Sequence, residues 1–147
     1  MEMNTKYFGT IEYEKKDLIT LTEGLAGIGD YREYLPISFE EGSDSMLCLQ
    51  CRDVASLAFV AVNPFGIVEN YHPVLNAEDK SALGIREENE LSFYALCTLR
   101  DTLEHSTVNL KAPIAVNVKT RRAKQVIVET DYMLRYPLKA GGQRTKC

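Results

Sequence analysis

Apolar residues recur along this chain mostly at every second position and in short runs, the spacing of β-strands. Tyr7–Tyr13 alternates, with Gly9 read as a bulge, and Leu18–Leu21 follows as a second short run. Glu23–Asp30 is a loop punctuated by Gly24, Gly27 and Gly29. Asp30–Leu35 is expected to make one helical turn before Pro36, and Pro36–Phe39 then leads into a polar turn at Glu40–Asp44. Met46–Arg52 reads as a strand. Leu57–Val62 is apolar on both faces and reads as a central, fully buried strand that Asn63-Pro64 ends. Leu91–Leu99 is the longest strand candidate, with Leu91, Phe93, Ala95, Cys97 and Leu99 on one face as a core stripe. Thr107–Lys111 and Ile114–Val118 flank Pro113, which cannot donate to a ladder, and Lys124–Glu129 closes the regular part.

One helix breaks this pattern. Asn76 is a good N-cap, Glu78 and Asp79 suit the positive end of the helix dipole, and Gly84 is a stop signal. About nine or ten short strands with one short helix predict an all-β fold, mostly β with one short helix, as a small barrel-like or sandwich domain. Residues 1–138 read as that single domain, and residues 139–147 as a frayed, flexible tail.

Length and composition fit this picture. A chain of 147 residues buries about 70% of its unfolded surface. With 45% hydrophobic and 26% charged residues it can fill an ordinary core. No apolar run is long enough to span a membrane, and the N-terminus has no basic region followed by an apolar one, so a cytoplasmic location is expected. Charge is uneven: residues 1–105 carry 8 basic against 19 acidic side chains, and residues 106–147 carry 9 against 2. Either the basic third offers a surface to an acidic partner, or it folds back on the acidic remainder and is neutralised.

Reactive machinery is hard to find. Cys48 and Cys51 spell C-x-x-C, but they lie within a strand, where residues three apart face opposite ways, and no second ligand pair accompanies them. Buried cysteines packing as small hydrophobes is the preferred reading, with Cys147 an exposed thiol at the end of the chain. His72 and His105 stand in no nucleophile motif, and the loop glycines lack the Lys-Ser/Thr of a phosphate loop. Glu40-Glu41 and Glu87-Glu88 are read as solvated pairs. The chain is therefore expected not to be an enzyme and to need no metal or cofactor.

The basic stretch Lys119–Lys124 allows three readings. It is a solvated hairpin, a docking surface for an acidic protein face, or an RNA-binding module. No aromatic residue lies between Lys111 and Val128 to stack on a base, and the whole chain is acidic, so direct nucleic-acid contact is not expected.

The sequence resembles the FliW family of bacterial flagellar assembly factors from about Thr5 to Leu138. Thr5-Lys-Tyr-Phe-Gly9 is similar to the family's T-K-x-F-G start, and Leu21–Gly27 to its F-P-E-G-x-x-G turn. Leu57–Phe65 resembles L-A-F-x-V-x-x-P, Leu110–Asn117 resembles L-x-A-P-I-x-x-N, and Thr120–Gln125 resembles T-R-x-G/A-x-Q. Tyr132–Leu138 is similar to the closing Y-x-x-R-x-P-L. Departures fall at Thr22, Ala26, Cys51, Ala123 and Tyr136.

The resemblance implies a non-enzymatic β-barrel-like protein, monomeric when free, that binds the translational repressor CsrA and also flagellin. Binding CsrA relieves repression of flagellin translation; accumulating flagellin then captures the protein and frees CsrA. Two protein-binding modes that weaken each other are required. Expected contact positions are Phe65, Asn109, Asn117, Arg121, Arg122 and Gln125. Phe65 follows a strand-ending proline and is expected to be an exposed anchor, and the five polar positions are expected to be exposed among buried neighbours. For Asn109 and Asn117, backbone capping beside Pro113 stays open as the alternative.

Overall fold

The computed structural model describes residues 1–25, 27–40, 45–102 and 105–138, apart from the Glu88 side chain. Among them the strands are β1 (Glu2–Asn4), β2 (Thr10–Glu12), β3 (Ile19–Leu21), β4 (Glu33–Ser38), β5 (Met46–Cys51) and β6 (Ala58–Val62). After the helix α1 (Ala77–Leu83) come β7 (Leu91–Thr98), β8 (Thr107–Val108), β9 (Ile114–Asn117), β10 (Arg122–Gln125) and β11 (Tyr136–Pro137).

Seven of these strands close a barrel. The ring runs β7-β6-β5-β4-β3-β10-β9, and β9 pairs back onto β7 from Leu91↔Asn117 to Tyr94↔Ile114. Closure gives every strand of the ring a partner on both sides and leaves only short stretches of free edge, such as the end of β4. Every pairing is antiparallel except β3 with β10, which run parallel. The later part of β7 carries β8, and β8 carries β11, as an extension beside the barrel. The hairpin β1–β2 forms a separate sheet, and Met3, Tyr13 and Leu18 pack with Leu35 beneath it.

The barrel interior is filled by alternate residues of the ring, among them Ile19, Leu21, Tyr34, Leu49, Ile114 and Val116. Tyr34 is fully buried, and among the described residues its hydroxyl has no hydrogen-bond partner. Burial pushes the phenol up to about 12. A buried unpaired hydroxyl costs about 1–3 kcal/mol. Tyr34→Phe keeps the ring and removes that cost, so urea denaturation is expected to show no loss and a gain of about 1 kcal/mol. A loss of that size instead would mean the hydroxyl is satisfied.

Several expectations require correction. Asp30–Leu35 makes no helical turn; Glu33–Ser38 is strand β4, hydrogen-bonded to β5 along its length. Pro36 is tolerated there because β3 pairs with β4 only at Glu33 and Tyr34, so one side of the strand needs no donor at Pro36. The run from Tyr7 is strand only from Thr10, and Gly9, at φ +67°, belongs to the turn that joins it to β1. In β6 only Val60, Ala61 and Val62 are fully buried. Phe93 and Ala95 are buried in the β7 stripe, whereas Leu99 lies past the strand end and is exposed. The last long strand starts earlier than Lys124 and ends at Gln125. The segment after it still alternates, with Val126 and Val128 buried and Ile127 exposed. The turn at 41–44, Ala26 and the tail 139–147 with Cys147 lie outside the described residues.

Candidate functional site

The helix sits where its sequence puts it. The Asn76 side chain accepts from the Asp79 N–H at 2.7 Å, and Gly84 ends the helix in the left-handed region at φ +67°. Its N–H and that of Ile85 return to the carbonyls of the last turn. Three side chains of the β9–β10 hairpin then clasp α1. Asn117 Nδ2 donates to the Leu83 carbonyl at 2.9 Å, Arg122 to the Ala82 carbonyl at 2.6 Å, and Lys124 Nζ to the Asp79 carboxylate at 2.7 Å. Lys124 also reaches Glu23 at 3.0 Å, and these two carboxylates, Asp79 first, hold its ammonium above its ordinary range.

The segment after α1 is fixed by Glu90. Its carboxylate accepts the N–H groups of Arg86 and Glu87 at 2.8 and 2.9 Å and meets Lys119 Nζ at 3.3 Å. Those contacts, the Glu87 N–H foremost, hold the Glu90 carboxyl below the usual carboxylate range. A lowered carboxyl adds stability above its unfolded value of about 4.3 that is lost as pH falls through its folded value. Denaturation from about pH 6 to about pH 3 should therefore show a steeper loss for wild type than for Glu90→Gln. Parallel curves would contradict it.

Clasped helix and pinned segment form one wall of a cleft of about 310 Å³. Its apolar lining includes Tyr71, Leu75, Ile85, Leu91 and Phe93. Tyr71 is anchored by its hydroxyl, which donates to the Leu110 carbonyl at 2.7 Å, and by Tyr132, ring to ring at 4.6 Å. Burial first, and then Tyr132, raise the Tyr71 phenol above its ordinary value. At the mouth stands Phe65. Asn63 accepts its N–H at 3.0 Å and Pro64 starts a tight turn, which holds the ring outward, 49% exposed. The ring meets Tyr71 and Phe93 edge-on at 5.5 and 6.0 Å.

The six expected contact positions separate under this geometry. Phe65 is exposed at the cleft. Asn117 is not an exposed position: it is 1% exposed, and besides Leu83 it takes the N–H groups of Lys119 and Thr120 at 2.9 and 3.3 Å. Its polarity among buried neighbours reflects capping. Asn109 is likewise a cap, accepting from Lys111 and Ala112 at 3.1 and 2.9 Å. Gln125 is half-buried and donates to the Ala112 carbonyl at 3.2 Å. Arg121 adopts φ +66°, and its guanidinium reaches the Asp17 carbonyl at 2.9 Å across the parallel β3–β10 seam. Arg122 is exposed but holds α1. The basic hairpin thus folds back on the rest of the chain, through carbonyls for its arginines and carboxylates for its lysines.

Sequence reasoning missed the other cleft residues and also Gln50. That side chain is fully buried, accepting the Lys6 N–H at 2.9 Å and donating to the Ala55 carbonyl at 3.0 Å, so it ties the β1–β2 turn to β5. The one advance signal was a glutamine inside an apolar strand. Cys48, Cys51 and Cys97 are free thiols, the first two buried. Burial pushes Cys48 and Cys97 up to about 11 and 12, the behaviour of packed and unreactive sulfur. Among the described residues no group of three His, Cys, Asp or Glu side chains is placed to hold a metal, and no helix is long and apolar enough to cross a membrane.

Comparison with known proteins adds the lineage. The family model described as FliW protein matches residues 2–138. A flagellar assembly factor FliW from an Exiguobacterium species is 38% identical, with 99% of each chain covered. One from Thermoanaerobacter pseudethanolicus is 36% identical, covering 94% of this chain and 93% of its own. A solved crystal structure of the flagellar assembly factor FliW superposes with a TM-score of 0.86 at 30% identity, covering 94% of this chain and 96% of that one. With the family model and these relatives spanning nearly the whole barrel, the chain belongs to the FliW family.

Proposed function

We propose that this chain is a cytoplasmic flagellar assembly factor that acts by binding proteins and catalyses no reaction. Its partners are CsrA and flagellin, held in turn: CsrA while flagellin is scarce, flagellin once it accumulates, so that flagellin translation is released and then repressed again. The relatives' shared description as flagellar assembly factors supports the process. The observation that carries protein binding is Phe65, an aromatic ring held out over an open apolar cleft on an otherwise closed barrel. The acidic balance of the chain, −4 overall, suits a basic partner and would chiefly speed its encounter.

The RNA-binding alternative draws on Lys119–Lys124, whose side chains are engaged within the fold as described above. We assign the binding unit to residues 1–138, monomeric when free. Size-exclusion chromatography with multi-angle light scattering tests this reading directly. The protein alone should elute as a monomer and form a discrete complex with purified CsrA, and separately with purified flagellin. A chain truncated after Leu138 should do the same. Failure to form either complex at micromolar concentration, with tight salt-sensitive binding of flagellin leader RNA instead, would replace it with the RNA reading.

A further inference from the structure

The cleft beside Phe65 is lined by more cations than carboxylates, although it is built mostly from the acidic part of the chain. Residues 1–105 hold 8 basic against 19 acidic side chains. Yet the charged side chains that line this cleft are Lys80 and Arg86, with Glu87 as the one carboxylate among the described lining residues and His72 beside them. Glu90 and Asp79 stand behind the lining, bound to the Arg86 and Glu87 N–H groups and to Lys124. Lys119 and Lys124 have ion-pair partners, whereas among the described residues neither Lys80 nor Arg86 does. Both cations are placed by the fold: Lys80 by the clasped helix, Arg86 by the grip of Glu90 on its N–H. At about 310 Å³ the cleft is near the lower end of ligand sites, which run from ~300 to ~1,000 Å³. That is room for one or two large side chains and not for a whole helix.

We infer that the cleft seats the apolar anchor of an amphipathic helix whose flanking residues are carboxylates, with Phe65 covering the anchor and Lys80 and Arg86 pairing with the acids. The inference rests on the protein-binding reading above and gives it a place and a polarity. Apolar burial supplies the hold, and the two cations select against a basic helix of equal hydrophobicity.

Fluorescence anisotropy with two synthetic helical peptides tests it. Both carry the same leucine anchors; one has flanking glutamates, the other flanking lysines. The glutamate peptide should bind the full chain about tenfold more tightly, with a preference that fades as salt is raised. Lys80→Gln with Arg86→Gln should erase that preference, and Phe65→Ala should weaken both peptides about tenfold. The two glutamines replace exposed side chains, so circular dichroism should be unchanged. Equal binding of the peptides, preference for the lysine peptide, or an undiminished preference in the double variant would overturn the inference. Purified flagellin and CsrA run in parallel separate the two readings. If the peptides behave as expected but wild type binds neither protein, the cleft assignment stands and the partner assignment falls. If wild type binds both proteins while the peptides show no preference, the reverse holds.

Discussion

Replacing Asn117 by alanine is expected to cost about 2–4 kcal/mol, because it removes one buried and two part-buried hydrogen bonds at once. The Leu83 carbonyl loses its donor, and the N–H groups of Lys119 and Thr120 lose their acceptor. Water cannot easily replace the bond to Leu83, a fully buried residue met by a side chain 1% exposed. The damage should spread to α1, since Leu83 is fully buried and packs with Leu75, Phe93, Val126 and Val128. Asn117→Asp separates the capping role from the clasp. Aspartate still accepts from Lys119 and Thr120 but faces the Leu83 carbonyl with a second oxygen. Comparing the two variants by urea denaturation divides the loss between the caps and the clasp, and an Asn117→Ala loss under about 0.5 kcal/mol would contradict the clasp.

Gly24→Ala is expected to lose about 2–4 kcal/mol, and Gly27→Ala only about 1 kcal/mol. Both residues sit at positive φ, +70° and +85°, so each substitution meets left-handed strain. They differ in space. A Cβ on Gly24 would stand 2.5 Å from Gly29 Cα and 2.7 Å from its carbonyl oxygen, backbone that must move. Nothing lies within 4 Å of a Cβ on Gly27. Displacing Gly29 also disturbs the Arg32 guanidinium, which bridges the Gly29 and Thr22 carbonyls at 3.3 and 2.9 Å. For a domain of this size about 1 kcal/mol corresponds to about 3 °C in Tm, so the two variants should melt several degrees apart. Equal melting temperatures would show that the loop yields at Gly29.

Much of this was legible in the chain, for reasons that differ by residue. Asn76 and Gly84 bound the helix because each does its work locally, one through its side chain and the other through its backbone. Period-two patterning identified β7, which buries Phe93 and Ala95 on one face, whereas β5 and β9 stood out as short apolar runs and are buried on both faces. Asp30–Leu35 misled because a proline in the middle of a paired strand argues for a boundary, and only the length of β3 shows that its missing donor is harmless. Phe65 was recognisable, since a large aromatic after a strand-ending proline has no strand to bury it. Asn117, Asn109 and Arg121 were not, because a polar residue among apolar neighbours looks alike whether it caps backbone or awaits a partner. The cleft was invisible for a further reason. It joins Phe65, Tyr71, Ile85 and Phe93, which meet only after β7 closes on β9 and the hairpin draws in α1.

In the function proposed above, this barrel exchanges one protein partner for another. Complexes of the full chain with fluorescently labelled CsrA, titrated with unlabelled flagellin, test it most directly. Stoichiometric release of CsrA as flagellin binds is the predicted result. A stable assembly holding all three proteins, with CsrA retained at saturating flagellin, would contradict it.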